Sequence, residues 1–307
     1  MIPAVYAQPS SPQLTAPNLG PAEREQAYSP SSCIGGDYRP FLQQYQQRSD
    51  TARALPHQEH AYGGLPRQRL DLFLPPLPQP LTQPDSQPGS RAPALLVFIH
   101  GGYWQELSRH SACFAAPACL AAGHAFAAIG YTLAPEATVE QIVQECRTAL
   151  VWLHQHAARL GFDPARIVVA GSSAGAHLAA MCSLRAWPHE AGLPAAAVLV
   201  SGVYELAPLV GTSINTALGL TPDSASRVSP LHYSLAGFAR TVLAWGEIET
   251  TEFKRQSRAF GQALQAQGLP EVPALEVPAR NHFDVVLDLC EPGTLLGDAT
   301  LALLASV

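Results

Sequence analysis

Lysine is almost absent from this sequence of 307 residues: Lys254 is the only one, and charged residues of all kinds make up 14% of the chain. Lysine and arginine together number 18 against 24 aspartates and glutamates, which gives a net charge of −6. A protein that binds nucleic acid needs a basic patch to neutralise phosphates. We therefore expect no nucleic acid or other polyanion among its partners.

The sequence also lacks paired cysteines, long apolar runs and a leader-like N-terminus. Its six cysteines, at positions 33, 113, 119, 146, 182 and 290, show neither C-x-x-C pairs nor the spacing of a zinc site. No run approaches the roughly 20 apolar residues of a membrane-spanning helix. No basic stretch followed by an apolar one opens the chain. These absences predict reduced thiols, no bound metal, no membrane association and a cytoplasmic location.

Hydrophobic residues make up 47% of the chain, which is ample for a large buried core. Strand-like apolar runs alternate with helix-like patterns, and this alternation predicts an α/β fold with a mostly parallel sheet and helices on both faces. The predicted strands are 69–74, 94–99, 125–129, 167–170, 195–200, 241–245 and 272–277. The predicted helices are 38–53, 111–122, 139–160, 252–267 and 294–306.

The sequence suggests one folded domain with one mobile end. Residues 1–30 are rich in Pro, Ser and Gln with little apolar periodicity, so we expect a mobile segment there and a single domain over 31–307. Between residues 204 and 233 the helix and strand patterns fail. A segment of this length without regular elements is often functional, and we expect it to form a partial lid over the substrate.

One stretch carries the strongest functional signal. The apolar run Ile167–Ala170 leads into Gly171, Ser172, Ser173, Ala174 and Gly175, and a small-residue helical pattern follows. Strand, G-x-S-x-G turn and helix together form the nucleophile elbow of serine hydrolases. The pattern predicts that Ser173 is an exposed nucleophile, and that the Ala174 N–H at the helix start faces any oxyanion formed there.

A nucleophilic serine needs a histidine base and an acid that orients it, and this architecture supplies them in the chain order Ser, acid, His. His282 follows the last predicted strand and is our candidate base. Glu249 lies three residues beyond Gly246 on the loop after the preceding strand and is our candidate acid. Glu247 is the runner-up, and Glu252 and Asp284 also lie nearby.

A third motif follows the predicted strand 94–99. His100, Gly101 and Gly102 lead into Tyr103 and Trp104, and two glycines let the backbone bend toward the nucleophile with free N–H groups. We expect the amides of Gly102, Tyr103 and Ala174 to form an oxyanion hole. Candidate residues of the substrate pocket are Tyr103, Trp104, Ser172 and Phe283. His100 and His177 are expected to be structural.

The motifs together resemble the kynurenine formamidase (arylformamidase) family of the α/β-hydrolase fold, which is related to the hormone-sensitive-lipase-like esterases. The resemblance covers residues 28 to 290. It rests on H-G-G-Y-W-Q at 100–105, G-S-S-A-G-A-H-L-A-A-M at 171–181, V-S-G-V-Y-E-L-x-P-L at 200–209, E-F-x-R-Q-S at 252–257 and Tyr28-Ser29-Pro30-Ser31.

That resemblance implies hydrolysis of N-formyl-L-kynurenine to kynurenine and formate in tryptophan breakdown, without metal or organic cofactor. It places Ser173, Glu249 and His282 where the family has its nucleophile, acid and base. The chain departs from the family pattern at two positions: the acid is Glu rather than the usual Asp, and Ser172 replaces the histidine usual before the nucleophile.

Two other functions stay open at this point. A carboxylesterase of small acyl or aryl esters would use the same triad with a different pocket. A non-catalytic binding protein on a hydrolase scaffold would typically lack a triad member, whereas here every member has a candidate. In each case the expected partner is a small molecule, and a homodimer is left open.

Overall fold

The computed structural model describes residues 18–76, 92–187, 192–269 and 271–307. Within these residues eight strands form one sheet. They are β1 Gln58–Ala61, β2 Arg69–Phe73, β3 Leu95–Ile99, β4 Ala125–Ile129, β5 Ile167–Ser172, β6 Ala196–Val200, β7 Arg240–Ile248 and β8 Ala274–Asn281.

Helices connect and cover these strands, together with short 3₁₀ turns. They are α1 Pro21–Ala27, α2 Arg39–Arg53, α3 Ala116–Ala121, α4 Val139–Leu160, α5 Ala174–Cys182, α6 Asn215–Leu218, α7 Pro222–Arg227, α8 Thr251–Ala266 and α9 Leu295–Ser306. The α4 helix shows how sequence sets a boundary. Thr138 caps its first turn through a hydrogen bond from the Gln141 amide, and Gly161 ends it in the left-handed region with φ 90°.

The strands lie in the order β1, β2, β4, β3, β5, β6, β7, β8. The β1–β2 and β2–β4 pairs are antiparallel, and every pair from β4 to β8 is parallel. The carboxyl ends of β3, β5, β6, β7 and β8 therefore meet at one edge of the sheet, where open α/β sheets place their binding sites.

The sheet is covered on both faces, so its central strands are apolar throughout. Leu95, Val97 and Ile99 of β3 pack into one hydrophobic cluster, and Leu96 and Phe98 pack into the other. This alternation is the period of two that a strand imposes on its side chains. All five residues are buried, as expected for a parallel strand between two helical layers.

These observations confirm the predicted α/β fold with a mostly parallel sheet. The α4 helix has the predicted bounds, and most other elements agree within a few residues. The β1 strand was not predicted, because it is an edge strand of four largely exposed residues without apolar alternation. The segment 204–233 is less irregular than expected, since it contains α6, α7 and two 3₁₀ turns.

The prediction of a mobile segment up to residue 30 needs correction. Residues 1–17 lie outside the described part of the chain, but α1 follows them and packs against the body of the protein. Tyr28 is 1% exposed and its hydroxyl donates to Glu252 Oε2 at 3.0 Å. One buried aromatic side chain therefore fixes a segment whose composition alone indicates mobility.

In residues 18–76, 92–187, 192–269 and 271–307, no helix combines the length and apolar character needed to cross a lipid bilayer.

Candidate active site

Ser173 lies between β5 and α5 in a backbone conformation that few residues adopt. Its φ of 57° and ψ of −120° fall outside the common regions, and such strain costs on the order of 1–3 kcal/mol. The turn leaves no room on either side, because a β-carbon at Gly175 would lie 2.0 Å from Ile99 O and one at Gly171 would lie 2.2 Å from Gly175 O. The helix α5 therefore begins directly behind the Ser173 hydroxyl.

His282 and Glu249 come together from two neighbouring strand ends. Glu249 follows β7, His282 follows β8, and His282 Nδ1 lies 2.9 Å from Glu249 Oε2. Both side chains are almost completely buried, at 5% and 1% exposure. A carboxylate only accepts hydrogen bonds, so Nδ1 carries the proton and Nε2 is left as the basic nitrogen.

The second carboxylate oxygen of Glu249 is also occupied. Its Oε1 accepts from the Gly246 amide at 2.6 Å and from the Ser201 hydroxyl at 2.6 Å. Ser201 lies at the end of β6, is fully buried and has a φ of 51° in the left-handed region. Hydrogen bonds to a charged group are stronger than neutral ones, so these two donors fix the direction in which the carboxylate points.

The other carboxylates considered from the sequence have different partners. Glu247 accepts from the Ala279 amide at 2.8 Å, and Glu252 pairs with Arg255 at 2.9 Å. Asp284 accepts from the Asn281 amide at 2.6 Å, and burial raises the pKa of its carboxyl. Of these carboxylates, the hydrogen bonds place only Glu249 on the imidazole of His282.

The loop after β3 approaches the nucleophile closely. A β-carbon at Gly101 would lie 2.7 Å from Ser172 O and 3.2 Å from Ser173 Cβ, so the backbone itself packs against the elbow. Gly102 and Tyr103 then have φ values of 89° and 48°. Gly102 O accepts from the amides of residues 105 and 106, which closes the loop into a tight turn.

His100 packs between this loop and Tyr131. It is 2% exposed, its ring stacks on Tyr131 with centroids 4.2 Å apart, and its Nδ1 lies 3.0 Å from Gly101 O. The Tyr131 hydroxyl donates to His100 O at 2.9 Å. Burial lowers the pKa of His100 to about 4, so the ring stays neutral at pH 7. His100 is therefore placed as a structural residue, as the sequence predicts.

A cavity of about 380 Å³ opens above these groups. Ser173, His282, Gly101, Gly102 and Tyr103 form its floor together with Ser172. Aromatic side chains line its walls: Tyr28, Tyr38, Tyr45, Phe98, Phe114 and Phe283. The Phe283 ring stacks on Tyr38 with centroids 5.4 Å apart and 10° between the planes. The cavity therefore offers flat apolar surfaces beside a hydroxyl nucleophile and a histidine.

Two glutamates, Glu25 and Glu106, line this cavity, and its described lining residues include no lysine or arginine. The Ser213 hydroxyl and amide both donate to Glu25, and these hydrogen bonds lower the pKa of its carboxyl, the side-chain bond most. Glu25 is therefore ionised at neutral pH.

Three of the four candidate pocket residues, Tyr103, Ser172 and Phe283, line the cavity. Trp104 does not, and the prediction for it was wrong. The left-handed φ of 60° at Trp104 accompanies a fully buried indole, whose ring meets the His177 ring edge-on at 5.0 Å. His177 is itself fully buried, and its Nε2 lies 2.6 Å from Val228 O.

Sequence reasoning missed several residues of the site. Ser201 lies inside a motif that was recognised, and its place at the end of a predicted strand was the signal that could have found it. Tyr28 also lies in a recognised motif. Ser213 lies in the segment 204–233 that was expected to cover the substrate, whereas Phe114 carried no comparable signal, because only folding brings it to the cavity.

Comparison with known proteins gives a consistent result. The kynurenine formamidase of Danio rerio is 32% identical over 245 residues, which are 76% of this chain and 77% of that protein. The chain belongs to the kynurenine formamidase family. The sequence of this family member also matches the BD-FAE family over residues 83–192.

An esterase and a thioesterase share less sequence identity with this chain than the Danio rerio protein does. The esterase LipQ of Mycobacterium tuberculosis is 28% identical over 218 residues, which cover 64% of this chain and 52% of that protein. A crystal structure from Silicibacter sp. TM1040, titled as a thioesterase, superimposes with a TM-score of 0.74 at 28% identity. The match covers 92% of this chain and 99% of that one. The family and these relatives are hydrolases, in agreement with the predicted enzyme class.

Proposed function

We propose that this protein hydrolyses the formamide of N-formyl-L-kynurenine to kynurenine and formate, with Ser173, His282 and Glu249 as the catalytic triad. The observation that carries the proposal is the 2.9 Å contact of Glu249 with His282, which lines the same cavity as Ser173. Membership of the kynurenine formamidase family indicates the substrate. Tryptophan breakdown is the pathway that this reaction would serve.

Ser173 Oγ attacks the formyl carbon, and His282 Nε2 takes the hydroxyl proton. The negative charge of Glu249 stabilises the imidazolium that forms, because Nδ1–H donates to its carboxylate. The carbonyl oxygen becomes an oxyanion that accepts from the amides of Gly102, Tyr103 and Ala174. Each donor of this kind contributes about 3–4 kcal/mol in the transition state.

His282 then donates its proton to the leaving nitrogen, the carbon–nitrogen bond breaks, and a formyl-serine remains. An arylamine is less basic than an alkylamine and leaves more readily, so esterase-like machinery suffices for this amide. Water repeats the sequence: its oxygen attacks the formyl carbon while His282 takes one of its protons. The carbon–oxygen bond to Ser173 then breaks, His282 returns the proton to Ser173 Oγ, and formate leaves. This reaction needs no metal or organic cofactor, and a cytoplasmic location stays a prediction.

The lining of the cavity supports an aromatic substrate that carries an ammonium group. Tyr38 and Phe283 offer stacking surfaces for an aryl ring. Glu25 and Glu106 are the lining residues whose charge attracts an ammonium group such as the α-amino group of formylkynurenine. The segment 204–233 contributes Ser213 and Ile214 to the lining, and we propose that it forms part of the substrate cover.

The test is the rate of kynurenine formation from N-formyl-L-kynurenine, with formanilide, p-nitrophenyl acetate and the Ser173→Ala protein measured alongside. We expect kcat/KM to be highest for N-formyl-L-kynurenine, and all three activities to be lost in Ser173→Ala. The esterase relatives make a carboxylesterase the second candidate. Fast ester cleavage with negligible deformylation would establish that alternative, and no turnover at all would indicate a binding protein.

A further inference from the structure

An N-terminal strap, defined here as residues 21–34, crosses the active site and contacts two of its separate parts. It consists of α1, Tyr28, Ser29 and the 3₁₀ turn Pro30–Ile34. Glu25 and residues 28–31 of the strap line the catalytic cavity. The strap is therefore a wall of the site, although it ends more than 60 residues before the oxyanion loop.

The first contact of the strap is with the loop that carries the proposed oxyanion donors. The Tyr103 hydroxyl donates to Tyr28 O at 2.6 Å. Tyr103 has a φ of 48° and Trp104 a φ of 60°, both in the left-handed region that disfavours side chains other than glycine. Such a conformation persists only where surrounding contacts hold it. Burial raises the pKa of Tyr103 well above its ordinary value, so its hydroxyl remains a donor.

The second contact is with the segment that follows the proposed catalytic acid. The Tyr28 hydroxyl donates to Glu252 Oε2 at 3.0 Å and accepts from Gln256 Nε2 at 3.1 Å. One residue earlier, Ala27 O accepts from Thr250 Oγ1 at 2.6 Å, and Thr250 directly follows Glu249. Tyr28 thus holds the oxyanion loop through its carbonyl and the start of α8 through its hydroxyl.

The start of α8 in turn contacts the catalytic histidine. The Phe253 ring meets the His282 ring edge-on with centroids 4.4 Å apart, and the Tyr28 and Phe253 centroids are 6.3 Å apart. Glu252, which accepts from Tyr28, is itself fixed by Arg255 at 2.9 Å. One residue of the strap therefore connects the two halves of the site through buried groups.

We propose that Tyr28 is a positioning residue. It holds Tyr103 so that the oxyanion loop stays at a fixed position relative to Ser173 and His282. The proposal rests on the oxyanion hole of the proposed function, but not on the identity of the substrate. An oxyanion forms in ester and in amide hydrolysis alike, so loss of this support lowers kcat for both substrates by the same factor.

The test uses Tyr103→Phe, Tyr28→Phe and the double variant, with kcat and KM measured on p-nitrophenyl acetate and on N-formyl-L-kynurenine. A fluorophosphonate titration gives the concentration of folded active sites. We expect Tyr103→Phe to lower kcat about tenfold, a fraction of the 10²- to 10³-fold lost when a donor is removed outright. KM should change less than about twofold, because the ring that lines the cavity is retained.

Tyr28 acts through Tyr103, so the loss of kcat in the double variant should be no greater than the larger of the two single losses. Tyr62→Phe is the matched control, because Tyr62 is also buried and its hydroxyl also donates to a backbone carbonyl, that of Gly130. It does not line the cavity. We expect it to lower the Tm and leave kcat within about twofold.

Three results would overturn the proposal: a loss of kcat in Tyr103→Phe no larger than in Tyr62→Phe, a change confined to KM, or independent losses that multiply in the double variant. If the Tyr103→Phe protein does not fold, the loss of kcat in Tyr28→Phe is the result that tests the proposal. If the parent protein cleaves the ester but not N-formyl-L-kynurenine, the proposed function fails, and the ester data still test the role of Tyr28.

Discussion

The carboxylate of Glu249 has a defined partner at each oxygen. Oε2 faces His282, while Oε1 accepts from Ser201 and from the Gly246 amide. Glutamate has one more rotatable bond than aspartate, so its carboxylate needs more support to point in one direction. Ser201, fully buried and with a left-handed φ, is the side chain that provides it.

We expect Ser201→Ala to lower kcat about 10- to 100-fold, since a hydrogen bond to a charged group contributes about 1.5–3 kcal/mol. The measurement is kcat and KM on p-nitrophenyl acetate. Ser257→Ala is the matched control: Ser257 is also buried, and its hydroxyl has no partner among the described residues. In a protein that already carries Glu249→Gln, the further change Ser201→Ala should lower kcat little. Equal losses in both backgrounds would contradict this role.

At the scale of elements, the close approach of α5 to β3 makes the elbow possible. Gly175 is the second residue of α5, and its Cα faces Ile99 O and His100 O. The same approach brings the Gly101 backbone against Ser172 and Ser173. Ser173 and the loop after β3 are therefore placed by the packing of one helix on one strand, and any increase in that spacing separates them.

Gly175→Ala tests this packing. Its β-carbon would lie 2.0 Å from a backbone oxygen that cannot rotate away, so we expect a loss of at least about 3 kcal/mol in the free energy of unfolding. Urea unfolding and the soluble yield measure it. Gly64→Ala is the control, because no heavy atom of the described residues lies within 4 Å of the β-carbon it adds. A Gly175→Ala protein with unchanged stability and activity would refute the packing argument.

At the scale of the whole molecule, His177 and His100 are buried, and neither ring pairs with a carboxylate of the described residues. His177 and His100 are 0% and 2% exposed, and burial lowers the pKa of each to about 4 from an ordinary 6.5. Burial also lowers the pKa values of His60, His110 and His124. The folded protein thus resists protonation that the unfolded chain accepts.

The free energy of unfolding should therefore fall as the pH falls from about 6.5 to 4. In that window the unfolded chain binds protons that the folded chain excludes, at a cost of up to about 1.4 kcal/mol per pH unit for each histidine. Urea unfolding at several pH values measures the slope, and His177→Gln should reduce it by the share of one histidine. A stability that is constant across this window would contradict the prediction.

Much of the site follows from sequence alone, because short-range chemistry determines it. The G-x-S-x-G turn needs glycines because its helix begins directly against a strand, where a β-carbon would meet backbone atoms. The carboxyl ends of the strands in a parallel sheet meet at one edge. Ser173, Glu249, His282 and the loop 100–103 could therefore be predicted from local patterns. The fold class followed in the same way from alternating apolar runs with helical and strand periods.

Tertiary structure alone decided what surrounds these residues. Tyr28 belongs to a segment whose composition predicts mobility, and only long-range contacts with Tyr103 and Glu252 make it a wall of the site. Trp104, expected in the pocket, is buried against His177 because the backbone turns it inward. Local patterns cannot encode such partners, since they lie between about 70 and 225 residues apart and meet only when the sheet and both of its cores have formed.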